Sequence, residues 1–405
     1  MGNLIFHIDV NSAFLSWTAI ERLAAGDPVD LRTIPSIIGG DQEKRHGIVL
    51  AKSIPAKAFD IQTGEPVTHA LEKCRNLTIV PPDHAMYREK SRKLMAYLHT
   101  LTPDIEQVSI DECYLDFSSI ADKYESPIAA AHQIKDTIRE TMGFTVNVGI
   151  SDRKVLAKMA SDFKKPDLVH TLFSYEIKEK MWHLPVSSLY MCGKSSVEEL
   201  RKLEILTIGD LARSNPDIIS LHLKSHGRLL WEYANGMDAS LVEPIPAEAK
   251  GIGNSTTLSR DAEDIDTIHK VLLALSDTVA SRLRKAGFLA YMISVEAKYN
   301  TFVKNSHQTT LTTPTNVSDV IYQTACQLFD ELWDATPVRL LGIRASKLVD
   351  TAEPIQLNLF DLSTTERTDS KSQKLDQALD SIRKKYGTSA VVRGSMLKQD
   401  FHFKE

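Results

Sequence analysis

The stretch "VSIDECYLDF", residues 108–117, decides how this chain folds and what it does. Without Asp111 and Glu112 it is an ordinary strand, rich in Val, Ile, Tyr, Leu and Phe. Two carboxylates side by side in such a run cost several kcal/mol to desolvate unless something pairs with them. Neighbouring strand residues point to opposite faces, so a straight strand would drive one acid into a core. A bend aims both at one spot and predicts a hairpin tip here. Like charges held that close raise each other's pKa unless a cation lies between them. Asp9 ends a short buried-type strand, "LIFHIDV", and could supply a third carboxylate. A lone acid at a strand end is ordinarily a turn cap; the adjacent pair is harder to explain that way. Hard oxygen ligands of this kind suit Mg²⁺, which commonly binds through a few carboxylates and substrate phosphates. Asp116, a further acid in the stretch, gains no such role from its spacing and reads as structural.

The rest of the chain sets the frame. At 405 residues it has room for two to four domains. It is 42% hydrophobic and 25% charged, which argues against wholesale disorder. No apolar run approaches the ~18 residues of a membrane span, and "LIFHI" is too short for a signal-peptide core. Cys74, Cys113, Cys192 and Cys326 are scattered, with no CxxC pair, so neither a zinc site nor a disulfide framework is expected. A reduced, cytoplasmic protein is the expectation. The net charge of −5 argues weakly against nucleic acid as a partner, but the charges segregate. Lys154, Lys158, Lys164 and Lys165 crowd one segment, Arg282, Arg284 and Lys285 another, while "RDAEDID" is acidic.

Periodicity and breakers predict helices over residues 12–24, 85–101 and 128–142. Strands are expected at "PSIIGG", "HGIVLA" and "FTVNVGIS", and a lysine-studded helix stopped at Pro166. From 175 to 237 the composition is helical. "EPIPAEAKGIG", residues 243–253, has two prolines and two glycines and reads as a linker. A last α+β unit follows, with helices over 264–285 and 317–334 and strands "LAYMISVEAKY" and "VRLLGIRASKL". Beyond residue 349 the chain is polar, apart from "QLNLF" and a short amphipathic helix expected near 372–385.

Three motifs stand in order: "HIDVNSAF" (7–14), "SIDECYLD" (109–116) and "LAKMASDFKKP" (156–166). Together they resemble the Y-family DNA polymerases of the bacterial polymerase IV/UmuC branch, over about residues 3–350. The resemblance implies an α+β multidomain, right-hand polymerase. Its palm would be 1–10 and 77–165, its fingers 11–76 and its thumb 166–240. A linker would span 241–253, a little finger 254–350, and a tail 351–405. It implies catalytic carboxylates Asp9, Asp111 and Glu112, with the Val10 carbonyl completing the sites of two Mg²⁺ ions. Phe14 matches the steric gate that excludes a ribose 2′-hydroxyl; on its own it reads as a core residue. Lys165 matches the lysine that reaches the incoming triphosphate; on its own it is a charge at a helix end.

Two finger positions depart from the family pattern. Ile54 stands for a Tyr and Lys57 for an Arg, which keeps the charge and loses the bidentate fork. Ala13, just before the gate, is smaller than the usual aromatic. The thumb would grip phosphates through helix–hairpin–helix-like turns at Gly193–Lys194 and Gly209. Met191 stands in the first turn where a glycine is usual. In the little finger, Arg260, Lys298 and Lys304 are the expected DNA contacts, although each alone is an ordinary surface charge. "QLNLF" resembles the sliding-clamp peptide of bacterial polymerases, with Gln356, Leu357, Leu359 and Phe360 as its contacts; a strand docked on its own domain is the other reading. The expected partners are primer-template DNA, dNTP and the sliding clamp, with no membrane and a monomeric enzyme. The implied function is low-fidelity translesion synthesis in the SOS response to DNA damage. A palm-type nucleotide cyclase and a non-catalytic DNA-binding relative are the alternatives.

Overall fold

The computed structural model describes residues 3–40, 47–353, 366–387, 390–391 and 393–394. They fall into two compact units: Met1–Gly40 with Gly47–Pro246, and a second that begins at Ala247.

The first unit is built on β1 (Ile5–Val10), whose Ile5, Phe6, Ile8 and Val10 are all buried. A strand with apolar residues on both faces has to be central and covered on both sides. α1 (Ala13–Ala24) leads to a small three-stranded sheet of β2 (Ser36–Gly39), β3 (Val49–Lys52) and β4 (Thr78–Val80), which also holds α2 (Ile54–Lys57) and α3 (Val67–Lys73). β4 pairs in parallel with β2, so the expected boundary at 77 cuts this sheet just before its third strand.

α4 (His84–His99), β5 (Ile105–Gln107), β6 (Glu112–Asp116), α5 (Pro127–Met142), β7 (Val146–Ser151), α6 (Lys154–Asp162) and β8 (Val169–Thr171) follow. The main sheet has the order β5-β6-β1-β7-β8. β8 pairs with β7, so this layer runs past the expected limit at 165. α4 and α5 bury Tyr87, Leu94, Leu98, Ile134 and Ile138 in one core with Phe6 and Phe117, which stack at 4.2 Å. α6 crosses β7 at Gly149, where an added Cβ would lie 2.0 Å from the Ala157 carbonyl oxygen. Only glycine permits so close an approach, and it fixes where α6 sits. α7 (Ile177–Lys180), α8 (Lys194–Lys202), α9 (Ile208–Arg213) and α10 (Pro216–Ala234) pack around Met181, Leu200, Leu211 and Leu230.

The second unit is a four-stranded sheet, β11-β10-β12-β9, with two helices on one face. Its elements are β9 (Gly251–Ala262), α11 (Ile265–Ala286), β10 (Phe288–Tyr299), β11 (Lys304–Thr315), α12 (Ser318–Leu332) and β12 (Val338–Asp350). β9 begins within the stretch read as linker, where Gly251 and Gly253 pair with Ser346 and Arg344. A Cβ on Gly251 would lie 2.8 Å from the Ala345 carbonyl oxygen, so this glycine serves close strand packing rather than looseness. β11 was not expected at all, being polar and exposed over its first seven residues.

α13 (Glu366–Tyr386) covers the helix expected near 372–385 and is held to this unit by charge. Arg284 bonds Asp376 at 2.9 Å and Asp380 at 2.6 Å, and Arg393 bonds Asp277 and Asp319 at 3.0 and 2.8 Å. Gln356, Leu357, Leu359 and Phe360 lie outside the described residues.

Candidate active site

The 108–117 stretch bends as expected. β5 and β6 pair antiparallel, and between them Val108 and Ser109 both donate backbone N–H bonds to the Glu112 carbonyl, at 3.1 and 3.2 Å. The Gln107 side-chain amide donates to the Ser109 carbonyl at 2.9 Å. Tyr114, Leu115 and Phe117 anchor the hairpin in the core. Val108 does not: it is 44% exposed, because β5 ends one residue before it. Asp116 accepts the Ser118 backbone N–H at 2.9 Å, a local turn contact away from the other acids' cations.

Strand register brings the acids together. Asp9 on β1 lies directly opposite Glu112 on β6, and the Val10 N–H donates to the Asp111 carbonyl at 3.0 Å. Like charges directly opposite destabilise a strand pair. Burial pushes the Asp111 carboxyl up, its hydrogen bond from the Ser109 hydroxyl at 2.7 Å opposes this, and the charges of Asp9 and Glu112 add to the rise.

Two ammonium groups answer the charge. Lys158 on α6 places its Nζ 2.8 Å from Glu112 Oε2, 3.4 Å from Asp9 Oδ2 and 3.4 Å from Asp162 Oδ2. Lys165 lies 2.9 Å from Asp9 Oδ1 and 2.9 Å from Asp162 Oδ1. Burial works against both ammonium charges, yet Asp9, Glu112 and Asp162 around Lys158, and Asp9 and Asp162 around Lys165, more than offset it and hold both lysines above the ordinary lysine range. The Glu112 carboxyl is pulled down to about 2, first by a hydrogen bond from His7 and also by Lys158, against its own burial. His7 is fully buried, and burial lowers its pKa, so the ring is neutral. Its Nδ1 lies 2.8 Å from Ser161 Oγ and its Nε2 3.4 Å from Glu112 Oε2.

With the carboxylates turned to these partners, no group of three acids, histidines or cysteines among the described residues is arranged to hold a metal ion as the side chains stand. The donor set nonetheless fits a hard divalent cation: opposed carboxylate oxygens whose mutual repulsion already requires positive charge.

Phe14 follows β1 on α1 and is fixed in place. Its ring stacks on Tyr87 at 4.4 Å with an interplanar angle of 6°, and His84 meets it edge-on at 6.1 Å. The Tyr87 hydroxyl bonds Thr18 Oγ1 at 2.9 Å. Lys57 is exposed on the last turn of α2, and Ile54 at its first turn is 57% exposed. Gly193 caps α8, Lys194 is its first residue, and Gly209 lies within α9. Met191 has a φ of 69° and Glu204 a φ of 58°. That left-handed backbone is where glycine is favoured, which explains why Met191 looked out of place. In the second unit, Arg260 is exposed on β9, Lys298 sits 4.4 Å over the Phe302 ring, and Lys304 pairs with Glu296 at 2.9 Å.

Sequence reasoning assigned no role to His7, Ser161 or Lys158. A signal for His7 was present: period-two alternation puts it on the Asp9 face of β1. For Lys158 the signal was its place in the motif at 156–166, but what it touches depends on how α6 crosses the sheet.

Residues 8–162 match the impB/mucB/samB family, and residues 249–359 match that family's C-terminal domain. The DNA polymerase IV of Clostridium acetobutylicum is 46% identical over 400 residues, covering 99% of this chain and 100% of that protein. The chain belongs to the impB/mucB/samB family. The DNA polymerase IV of Alkaliphilus oremlandii is 34% identical over 403 residues, covering 98% of this chain and 100% of the relative. A solved Y-family DNA polymerase chimera superposes with a TM-score of 0.75 at 22% identity, covering 86% of this chain and 99% of the chimera. The family fold is therefore the Y-family polymerase fold. The first family segment holds Asp9, Asp111, Glu112 and Lys158 and stops before Lys165. The second begins at 249, close to the observed start of β9.

Proposed function

We propose that this chain copies DNA past template damage, as a low-fidelity translesion polymerase of the bacterial SOS and repair response. That it is a DNA-directed DNA polymerase follows from its family and from DNA polymerase IV relatives matched along their whole length. The observation that carries the site reading is the register pairing of Asp9 with Glu112, beside the bend that ends in Asp111. These three carboxylates and the Val10 carbonyl would hold two Mg²⁺ ions, which when bound supply charge stabilisation to the attacking and leaving oxygens of nucleotidyl transfer.

The chain's own residues do the remaining work. Lys165, released from Asp9, orients the triphosphate of the incoming dNTP. Lys57 adds charge from the fingers, 11–76, without the fork an arginine would bring. Phe14, stacked on Tyr87, would exclude a 2′-hydroxyl by contact. Gly193, Lys194 and Gly209 in the thumb, 166–240, offer backbone N–H groups and charge to DNA phosphates. Arg260, Lys298 and Lys304 in the little finger do the same without reading sequence. Gln356, Leu357, Leu359 and Phe360 would seat on the sliding clamp. The enzyme would act as a cytoplasmic monomer. No helix among the described residues is long and apolar enough to cross a membrane.

The test is primer extension on undamaged and lesion-bearing templates, with and without clamp, at fixed salt. Extension past lesions, stimulated by clamp, is expected; synthesis that halts at every lesion would remove the translesion reading. Phe14→Ala should raise ribonucleotide incorporation, and unchanged sugar discrimination would take Phe14 out of its role.

A further inference from the structure

Lys158 lies in the motif at 156–166 without an assigned role, yet it is the cation the acids hold most closely. Its side chain is only 12% exposed. It touches both members of the opposed pair, Asp9 and Glu112, whereas Lys165 reaches Asp9 alone of the two. Its position is set by the fold rather than by its own flexible stem. α6 rests on Gly149, where the Ser161 amide nitrogen would also lie 2.5 Å from an added Cβ, so the helix cannot slide along β7. One turn on, Ser161 bonds both the Lys158 carbonyl and His7, tying the helix to β1 at the height of the acids.

An ammonium here has two consequences. It offsets the repulsion between carboxylates that strand register forces together. It also puts positive charge at the oxygens a divalent cation needs, and two cations at one donor set oppose each other. We propose that Lys158 is a positioning residue: a resident cation that holds the Asp9 and Glu112 carboxylates together in the metal-free enzyme and, by competing for them, sets how tightly the site takes up divalent metal. This rests on the two-metal reading of the same acids. Lysine suits the task as a compact point charge that three rotatable donors can share among several oxygens.

The test uses the full chain and Mn²⁺ as the probe. Wild type, Lys158→Met and Lys158→Gln are compared by titration calorimetry with Mn²⁺ and by thermal unfolding in EDTA and at rising Mn²⁺. The two neutral variants guard against one that misfolds, and far-UV circular dichroism checks both. Loss of the ammonium should tighten Mn²⁺ binding roughly tenfold. It should also lower Tm in EDTA, with the gap to wild type closing as Mn²⁺ rises, because a tighter-binding ligand stabilises more at the same concentration. Lys158→Arg, which keeps the charge, should return Mn²⁺ affinity towards that of wild type. A purely structural lysine would give the same Tm gap with and without metal; that result, or Mn²⁺ binding left unchanged or weakened, overturns the proposal. A wild type with no Mn²⁺ uptake that Asp111→Asn removes would sink the metal reading itself, and this proposal with it.

Discussion

Glu112 shows how much of the site is decided by single contacts. Its carboxyl lies at about 2, against 4.5 for the ordinary side chain, through His7 and Lys158. A carboxyl depressed on folding adds stability that is present above its unfolded pKa and lost as pH falls through the folded one. In EDTA, the stability gap between wild type and Glu112→Gln should thus be full above about pH 4.5 and shrink towards pH 2, as urea unfolding at pH 7 and pH 3 would show. A gap that does not change over that window would mean the contacts leave the carboxyl unperturbed. Asp111 runs the other way, because burial raises it. The acids were legible in the sequence because two carboxylates in an apolar run demand an explanation. His7 and Lys158 were marked only by alternation along β1 and by a place in the third motif, because what they touch is set by register and by a helix crossing.

Among the elements, α6 is the one on which the site depends. A Cβ at Gly149 would sit 2.0 Å from the Ala157 carbonyl oxygen, against helix backbone that cannot turn aside. Gly149→Ala should cost about 3 kcal/mol by chemical denaturation. It should also reduce primer extension, because Lys158 and Ser161 shift with the helix; unchanged stability and activity would refute the close crossing. Elements with an apolar period, such as α4, α11 and β10, were readable to within a residue or two. β9 and β11 were not. The glycines of β9 look like linker composition but admit the Ala345 carbonyl. β11 is a polar edge strand that buries little, so neither alternation nor hydrophobicity marks it. Met191 is intermediate: the sequence flagged a missing glycine, and the φ of 69° gives the reason.

For the whole molecule, a net charge of −5 belongs to an enzyme of a DNA polymerase family. The two facts agree if cations are grouped where the nucleic acid lies, and Arg260, Lys298 and Lys304 are the candidates in the second unit. Replacing Arg260 and Lys298 together by alanine should weaken DNA binding evenly across sequences and flatten the slope of log K against log salt by about 1–2. An unchanged slope would show that neither neutralises a phosphate. Composition marked a linker-like stretch before the last α+β unit, but not the packing of α13 against that unit. α13 is bound through Arg284 and Asp376, and a buried pair of that kind depends on three-dimensional placement rather than on any local pattern.

The claim on which everything else depends is that Asp9, Asp111 and Glu112 form one catalytic centre. Metal-dependent primer extension by Asp111→Ala and Glu112→Ala, each checked for folding, tests it most directly. Both variants should lose incorporation almost completely, by ~10²-fold or more, while still binding primer-template DNA. Retained incorporation in both would contradict the assignment.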